Sequence, residues 1–259
     1  MHQPRKRFGQ HFLRDPKIIQ RIVSAIAPEH GQRLIEIGPG TGALTLPILR
    51  EVGSLEAIEV DRDIVPLLQD ACKDIGDLLI YQKDVLNFDL SVIVQNQKPI
   101  RVFGNLPYNI STPLIFHLLT FSQHISDMHF MLQKEVAERL TSIPGRKSYS
   151  RISVMAQYHY HIKQLFDVPP HAFRPAPRVD SRIVRLLPYG KIPYKAKSYS
   201  RFETIVKQAF GQRRKMLRNS LSGLKEPIPE HIFEKANIDP QKRAENLSVE
   251  DFVRLSNCT

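Results

Sequence analysis

Apolar and polar positions follow two different periods along the first two-thirds of the chain. Short runs rich in β-branched residues, RLIEI at 33–37, LEAIEV at 55–60, LLIYQ at 78–82, IRVF at 100–103, MHFML at 128–132 and SRIVRLL at 181–187, read as strands. Segments between them, 63–75 and 113–121 among them, repeat apolar side chains at helical spacing. Alternation of this kind predicts an α/β fold, a parallel doubly wound sheet whose ligands sit at the carboxyl ends of its strands.

Beyond Leu187 the strand period stops. Phe202, Ile205, Val206, Ala209 and Phe210 form an apolar stripe at helical spacing, and Ser248 with Asp251 has the form of a capping box opening a last helix. The expected organisation is a catalytic domain over 1–189 and a small all-helical domain over 190–259. No internal repeat or low-complexity segment is evident.

Length and composition fit a globular protein with a real core: 259 residues, 42% hydrophobic. Charge adds more. Of a net +11, residues 1–21 hold six Lys/Arg against one Asp, residues 144–185 eight against two acids, and residues 191–225 ten against one, so the remainder is acidic. One of these blocks would be an ordinary solvated face. Three of them point to a polyanion, nucleic acid before membrane. Cys72 and Cys258 match no disulfide or metal spacing, so no metal is expected and a reducing compartment is the economical reading. The basic N-terminus has no apolar stretch of a signal peptide, and no run reaches the length of a membrane span. The expectation is a cytoplasmic, monomeric protein away from membranes.

Two stretches carry candidate chemistry. Glu36-Ile37-Gly38-Pro39-Gly40-Thr41-Gly42-Ala43 follows the first strand, where glycines let the backbone turn tightly and approach a ligand. Glu59 comes 21 positions after Gly38, at the spacing where an acid binds ribose hydroxyls. Gly38, Gly40 and Ala43 also satisfy the dinucleotide fingerprint, so NAD competes on this loop alone. The Glu36 carboxylate, placed just before the glycines, favours a cationic cofactor with an amino-acid tail, S-adenosylmethionine, over a pyrophosphate. Asp84 in QKDVL is placed to accept from an adenine amine, or simply to hold a turn.

The second stretch is NLPYNIST, 105–112, behind the fourth strand. Pro107 holds Leu106 extended, so the Leu106 carbonyl and the Asn105 side-chain oxygen can converge as two acceptors for an exocyclic adenine amine. Tyr108 would stack on the base. Taking a base out of its stack costs a few kcal/mol, and one aromatic returns about 1–3 kcal/mol, so a second ring is wanted. Phe173, in FRPAPRVDS at 173–181, is the candidate; an aromatic in a proline-rich connection can equally be core. Asn109 to Thr112 would cap the next helix.

These segments, with FGQHFL at 8–13, IEVDRD at 58–63, VFGNLPYNISTPLIFHLL at 102–119, MLQKEVAERL at 131–140, AFGQRRKMLRNSL at 209–221 and IDPQKRAENLSVEDF at 238–252, resemble the ribosomal RNA adenine dimethyltransferase family of the KsgA type over nearly the whole chain. The resemblance implies a Rossmann-like class I S-adenosylmethionine-dependent methyltransferase domain followed by a helical domain. It also implies transfer of two methyls to each of two adjacent adenosines in a loop near the 3′ end of 16S rRNA, and a role in small-subunit biogenesis. Carried over by motif, His11, Leu13, Gly38, Glu59, Asp84 and Asn105 would contact the cofactor, with Asn105 also serving the target amine and Tyr108 and Phe173 as the stacking pair. Lys147, Arg151, Arg213, Arg214, Lys215 and Arg218 would contact rRNA phosphates or the subunit. The chain departs from the familiar pattern at His11, where Asn is common, and at Ser150, where Gly is frequent.

Three other readings compete. A methyltransferase of the same fold acting on large-subunit rRNA is opposed by the match of the helical tail. A ribosome-assembly factor whose binding outweighs its catalysis is compatible with the same chain. An NAD-dependent oxidoreductase lacks a His or Lys in a motif suited to hydride chemistry.

Overall fold

Every strand expected from the apolar runs forms, and the order in which they pair puts two loops side by side. The computed structural model describes residues 11–94 and 99–259; Arg5, Lys6 and Arg7 of the first basic block and residues 8–10 of FGQHFL lie outside the described residues. After the short β1 (Phe12–Leu13), Asp15 caps α1 (Pro16–Ile26) by accepting from the Lys17 and Ile18 amides, with Pro16 at the first helical position where its missing N–H costs nothing. Then β2 (Leu34–Ile37), α2 (Thr45–Val52), β3 (Ser54–Glu59), α3 (Val65–Cys72), β4 (Asp77–Gln82), α4 (Ser91–Val94), β5 (Ile100–Asn105), α5 (Ser111–Leu119), β6 (Ile125–Gln133) and α6 (Lys134–Thr141) alternate. All four residues of β2 are buried, as a strand covered on both faces must be, and this is why it reads as a continuous apolar run.

Further strands follow α7 (Arg151–His159): β7 (Tyr160–Val168), β8 (Phe173–Arg174) and β9 (Ser181–Pro188). The main sheet runs β4-β3-β2-β5-β6-β9-β7. Pairs from β4 through β6 are parallel, but β9 is antiparallel to β6, so the sheet is mixed where an all-parallel one was expected. Strand order leaves β2 first through β3 and β4 and then returns on its other side to β5. The reversal makes the gap between the ends of β2 and β5 the place where an open sheet of this type holds ligands. Gly104 brings those two strands unusually close: a Cβ there would lie 2.3 Å from the Ile37 carbonyl oxygen.

A separate pair joins β1 to β8, antiparallel, with Leu13 opposite Phe173. Both side chains enter the core formed by α1, α2 and the sheet.

Among the described residues the chain divides into two compact units, one ending at Ala137 and resuming over Ile162–Pro188, the other made of Glu138–His161 and Tyr189–Thr259. Residues 138–161 thus belong with the helices of the second unit and not, as a break at 189/190 has it, with the first. That unit contains α7, α8 (Tyr199–Gly211), α9 (Leu217–Leu221), α10 (Glu230–Lys235) and α11 (Val249–Asn257). Phe202, Ile205, Val206 and Ala209 of α8 are buried, and the Ser248 hydroxyl accepts from the Asp251 amide while the Asp251 carboxylate accepts from the Ser248 amide, closing the capping box of α11. Ser150, the residue before α7, is extended (φ −155°, ψ 179°), a conformation that needs no glycine.

Candidate active site

At the carboxyl ends of β2 to β5 the first unit encloses a cavity of about 270 Å³, on the scale of a small-molecule site. His11, Leu13, Glu36, Gly38, Gly40, Glu59, Asp84, Asn105, Leu106, Pro107 and Tyr108 all line it. Gly38 and Asn105, 67 positions apart, meet here because β2 and β5 are adjacent and parallel, so that both strand ends open on one edge of the sheet.

The glycine loop is anchored and thin. Gly38 donates its amide to the Ile58 carbonyl at 3.0 Å, which ties the loop to β3. Gly40 sits at φ +55°, where a side chain is strained, and a Cβ there would crowd the Phe12 ring at 3.1 Å. Phe12 also lines the cavity, and sequence reasoning passed it over although it lies in FGQHFL.

Glu59 is buried, with its two carboxylate oxygens accepting from the amides of Gly40 (3.2 Å) and Asp61 (2.9 Å). Burial pushes its carboxyl above the usual range, with those amides working in the opposite direction. The acid is thus fixed as an acceptor at the end of β3. Asp84 is exposed and accepts from the Leu86 amide and the Asn87 side chain, so it holds a turn and faces the cavity at once.

Glu36 is only 2% exposed and its carboxyl takes a hydrogen bond of 2.7 Å from the Thr45 hydroxyl. Burial, and to a smaller degree the nearby Glu59, raise it from 4.5 to about 8, with the Thr45 bond acting against them. A buried acid with one neutral partner ionises readily only when a cation joins it. The pair of carboxylates therefore fits a cationic nucleoside with hydroxyls and an ammonium tail, and opposes the pyrophosphate of a dinucleotide.

At the end of β5 the Asn105 amide nitrogen donates to the His11 carbonyl at 2.9 Å. That bond fixes which way the amide faces and keeps its oxygen free to accept. Leu106, fully buried, donates its amide to the Met131 carbonyl at 3.2 Å. The Pro107 carbonyl accepts from the Ile110 amide and the Ser111 hydroxyl, which closes the turn; no side chain of Asn109 to Thr112 caps α5. The Tyr108 ring lies 5.5 Å from that of His11, tilted by 31°, and its hydroxyl pairs with Ser181 Oγ at 2.7 Å. Burial raises the phenol, so it stays protonated. From Nδ1 the His11 ring donates to the Pro175 carbonyl at 2.8 Å.

Phe173 is not on the cavity. It is 5% exposed, pinned opposite Leu13 by the β1–β8 pair and packed in the core. The apolar ring is satisfied there, and no second aromatic face opposes Tyr108 from that position.

The six basic candidates lie in the second unit and separate into two groups. Arg151 pairs with Glu203 at 3.0 Å, and Arg213 pairs with Glu245 at 2.7 Å. Lys147, Arg214, Lys215 and Arg218 are exposed, and no acid among the described residues pairs with them. Among the described residues no cluster of His, Cys, Asp and Glu could hold a metal ion, and no helix is long and apolar enough to cross a membrane.

A family model described as ribosomal RNA adenine dimethylase matches residues 1–259. The chain belongs to the ribosomal RNA adenine dimethylase family. It is 53% identical over 260 residues to the ribosomal RNA small subunit methyltransferase A of Chromohalobacter salexigens, covering 99% of this chain and 91% of that one. The protein of the same name from Vibrio cholerae is 50% identical over 256 residues, covering 99% and 93%. Among solved structures, a dimethyladenosine transferase from Plasmodium falciparum superposes with a TM-score of 0.79 at 25% identity over 95% of this chain and 96% of that one. The 23S rRNA methyltransferase ErmE, at 23% identity, shares the fold with a TM-score of 0.72 over 95% and 98%.

Proposed function

We propose that this protein dimethylates the N6 amines of two adjacent adenosines in the hairpin loop near the 3′ end of 16S rRNA, in the small ribosomal subunit or its precursor in the cytoplasm. The observation that carries the reading is the grouping at the end of β5: Asn105, its amide turned by the bond to the His11 carbonyl, lines with Leu106 a cavity that also holds Glu36 and Glu59.

Glu59 would hold ribose hydroxyls, Asp84 the adenine amine of the cofactor, and Glu36 with the glycine loop its charged tail. When bound, S-adenosylmethionine supplies a methyl activated by a sulfonium. The protein's task is to present a nitrogen whose lone pair is delocalised into an aromatic ring. The Asn105 oxygen and the Leu106 carbonyl accept the two N–H bonds of the target amine and favour a pyramidal nitrogen. Because the Asn105 amide is already oriented by its bond to the His11 carbonyl, that acceptor needs no reorganisation at the moment of reaction. No strong general base is required, since the nitrogen becomes strongly acidic once alkylated. Tyr108 stacks on the extruded base and aligns it.

In the second unit, Lys147, Arg214, Lys215 and Arg218 are proposed to contact rRNA phosphates, which place the substrate without reading its sequence. Arg151 and Arg213, engaged with Glu203 and Glu245, serve the unit's own structure in this reading.

The test is methyl transfer from labelled S-adenosylmethionine to isolated subunits taken from cells lacking the modification. Incorporation into small subunits, lost in Asn105→Ala, is expected. Incorporation confined to large subunits would overturn the reading.

A further inference from the structure

Resting on that reading of the cavity, we propose that Ser181 is a positioning residue of the active site, which holds the Tyr108 ring in its stacking orientation through the hydroxyl pair.

FRPAPRVDS reads from sequence as the carrier of a second stacking ring, Phe173. The structure gives its far end the direct contact with the reaction centre. Phe173 turns into the core, and Ser181, the last residue of the segment, meets the Tyr108 hydroxyl at 2.7 Å across 73 positions of sequence. Ser181 is completely buried, so its hydroxyl requires a partner, and the partner present is the outer end of the ring that faces the base.

The anchor itself is rigid. Ser181 opens β9 in register with Gln133 of β6. On one side the Asp180 carbonyl accepts from the Lys134 amide at 3.0 Å; on the other the Arg182 guanidinium grips Asp167, which also takes Lys134 Nζ at 2.9 Å. By contrast, the Tyr108 ring is held by the NLPY turn at its Cα end and rests against His11 on one side, leaving two torsions to be fixed. A hydrogen bond at the far end fixes where the ring axis points, and the His11 ring beside it limits rotation of the ring plane about that axis. A ring already ordered costs less to stack upon, and a base stacked on an ordered ring stays in line with the two acceptors.

Ser181→Ala and Tyr108→Phe remove the same bond from opposite ends. Each should lower kcat for methylation of small subunits about 3- to 10-fold, as loss of one neutral hydrogen bond implies. The double variant should be no slower than either single one, and the dissociation constant for S-adenosylmethionine should stay within about twofold of wild type. A readout independent of turnover uses fluorotyrosine at the eight tyrosines and fluorine NMR of the free protein. The resonance missing from Tyr108→Phe should be the one that shifts or broadens in Ser181→Ala. Wild-type kcat in both single variants, multiplicative losses in the double one, or a Tyr108 resonance unmoved by Ser181→Ala would each overturn the proposal while leaving the methylation reading intact. Absence of methylation by the wild type would instead overturn that reading, and the resonance test would still decide the contact.

Discussion

Asn105, at the end of β5, gives its side-chain N–H to the main-chain carbonyl of His11 at 2.9 Å. The bond joins two parts of the chain 94 positions apart and decides that the oxygen, not the nitrogen, of the amide is available to a substrate. Asn105→Ala removes an oriented acceptor, and Asn105→Asp sets a carboxylate against the His11 carbonyl. Both variants should lower kcat at saturating cofactor by about 10²-fold or more, the scale of losing one oriented polar group at a reaction centre. Thermal midpoints should fall by no more than about 4 °C, from one lost hydrogen bond. Initial rates on small subunits check this, and near-normal turnover in Asn105→Ala would contradict the role.

If Glu36 holds the cationic tail of the cofactor as proposed, binding should release a proton. With its carboxyl raised from 4.5 to about 8, it is protonated in the free protein at neutral pH and ionises when a cation joins it. Calorimetry at pH 7 in buffers of different ionisation enthalpy should find about one proton released on binding S-adenosylmethionine, and none in Glu36→Gln. The same shift fixes the sign of the stability effect. Below about pH 4.5 the carboxyl is protonated both folded and unfolded; as pH rises toward 8 the unfolded chain releases the proton while the fold retains it, so this contribution to stability is lost over that window. The thermal midpoint of the free protein should therefore fall more steeply from pH 5 to 8 than that of Glu36→Gln.

Gly104 sets the distance between the two halves of the site. A Cβ at this position would lie 2.3 Å from the Ile37 carbonyl, so Gly104→Ala must separate β2 from β5. A loss of about 3 kcal/mol is expected, the upper range for overpacking, with a fall of about 6–12 °C in thermal midpoint. Cofactor affinity should fall with it, since the glycine loop and NLPY leave from those strands; an unchanged midpoint in a scanning calorimeter would contradict the close approach.

The exposed cations and the paired ones should respond differently to neutralisation. Arg214→Gln, Lys215→Gln and Arg218→Gln should each reduce the slope of log affinity for small subunits against log salt by about 1. Arg213→Gln, which breaks the 2.7 Å pair with Glu245, should lower stability and change the slope less. Equal slope changes for Arg213 and Arg214 would remove the distinction.

The strands were legible because those buried on both faces must be written as unbroken apolar runs, as in LIEI of β2. β7 was missed because, with residues such as His161, Lys163 and Asp167 open to solvent or half so, it offers no such run. The direction of β9 was not legible either, since side-chain alternation is the same in parallel and antiparallel pairing. That Gly38 and Glu59 share a cavity could be read from spacing, as Gly38 follows β2 and Glu59 closes β3, the next strand. The substrate end could be read only in part: an aromatic beside prolines looks like a stacking platform, whereas it takes the β1–β8 register to show Phe173 facing the core and the β6–β9 register to bring Ser181 to Tyr108.

The most direct measurement is mass mapping of methylated nucleosides in rRNA from cells that lack this activity and express either the wild type or Asn105→Ala. The wild type should give N6,N6-dimethyladenosine at two adjacent positions near the 3′ end of small-subunit rRNA, and the variant should leave the adenosines unmodified. Dimethyladenosine found only in large-subunit rRNA, or undiminished with Asn105→Ala, would contradict the proposed function.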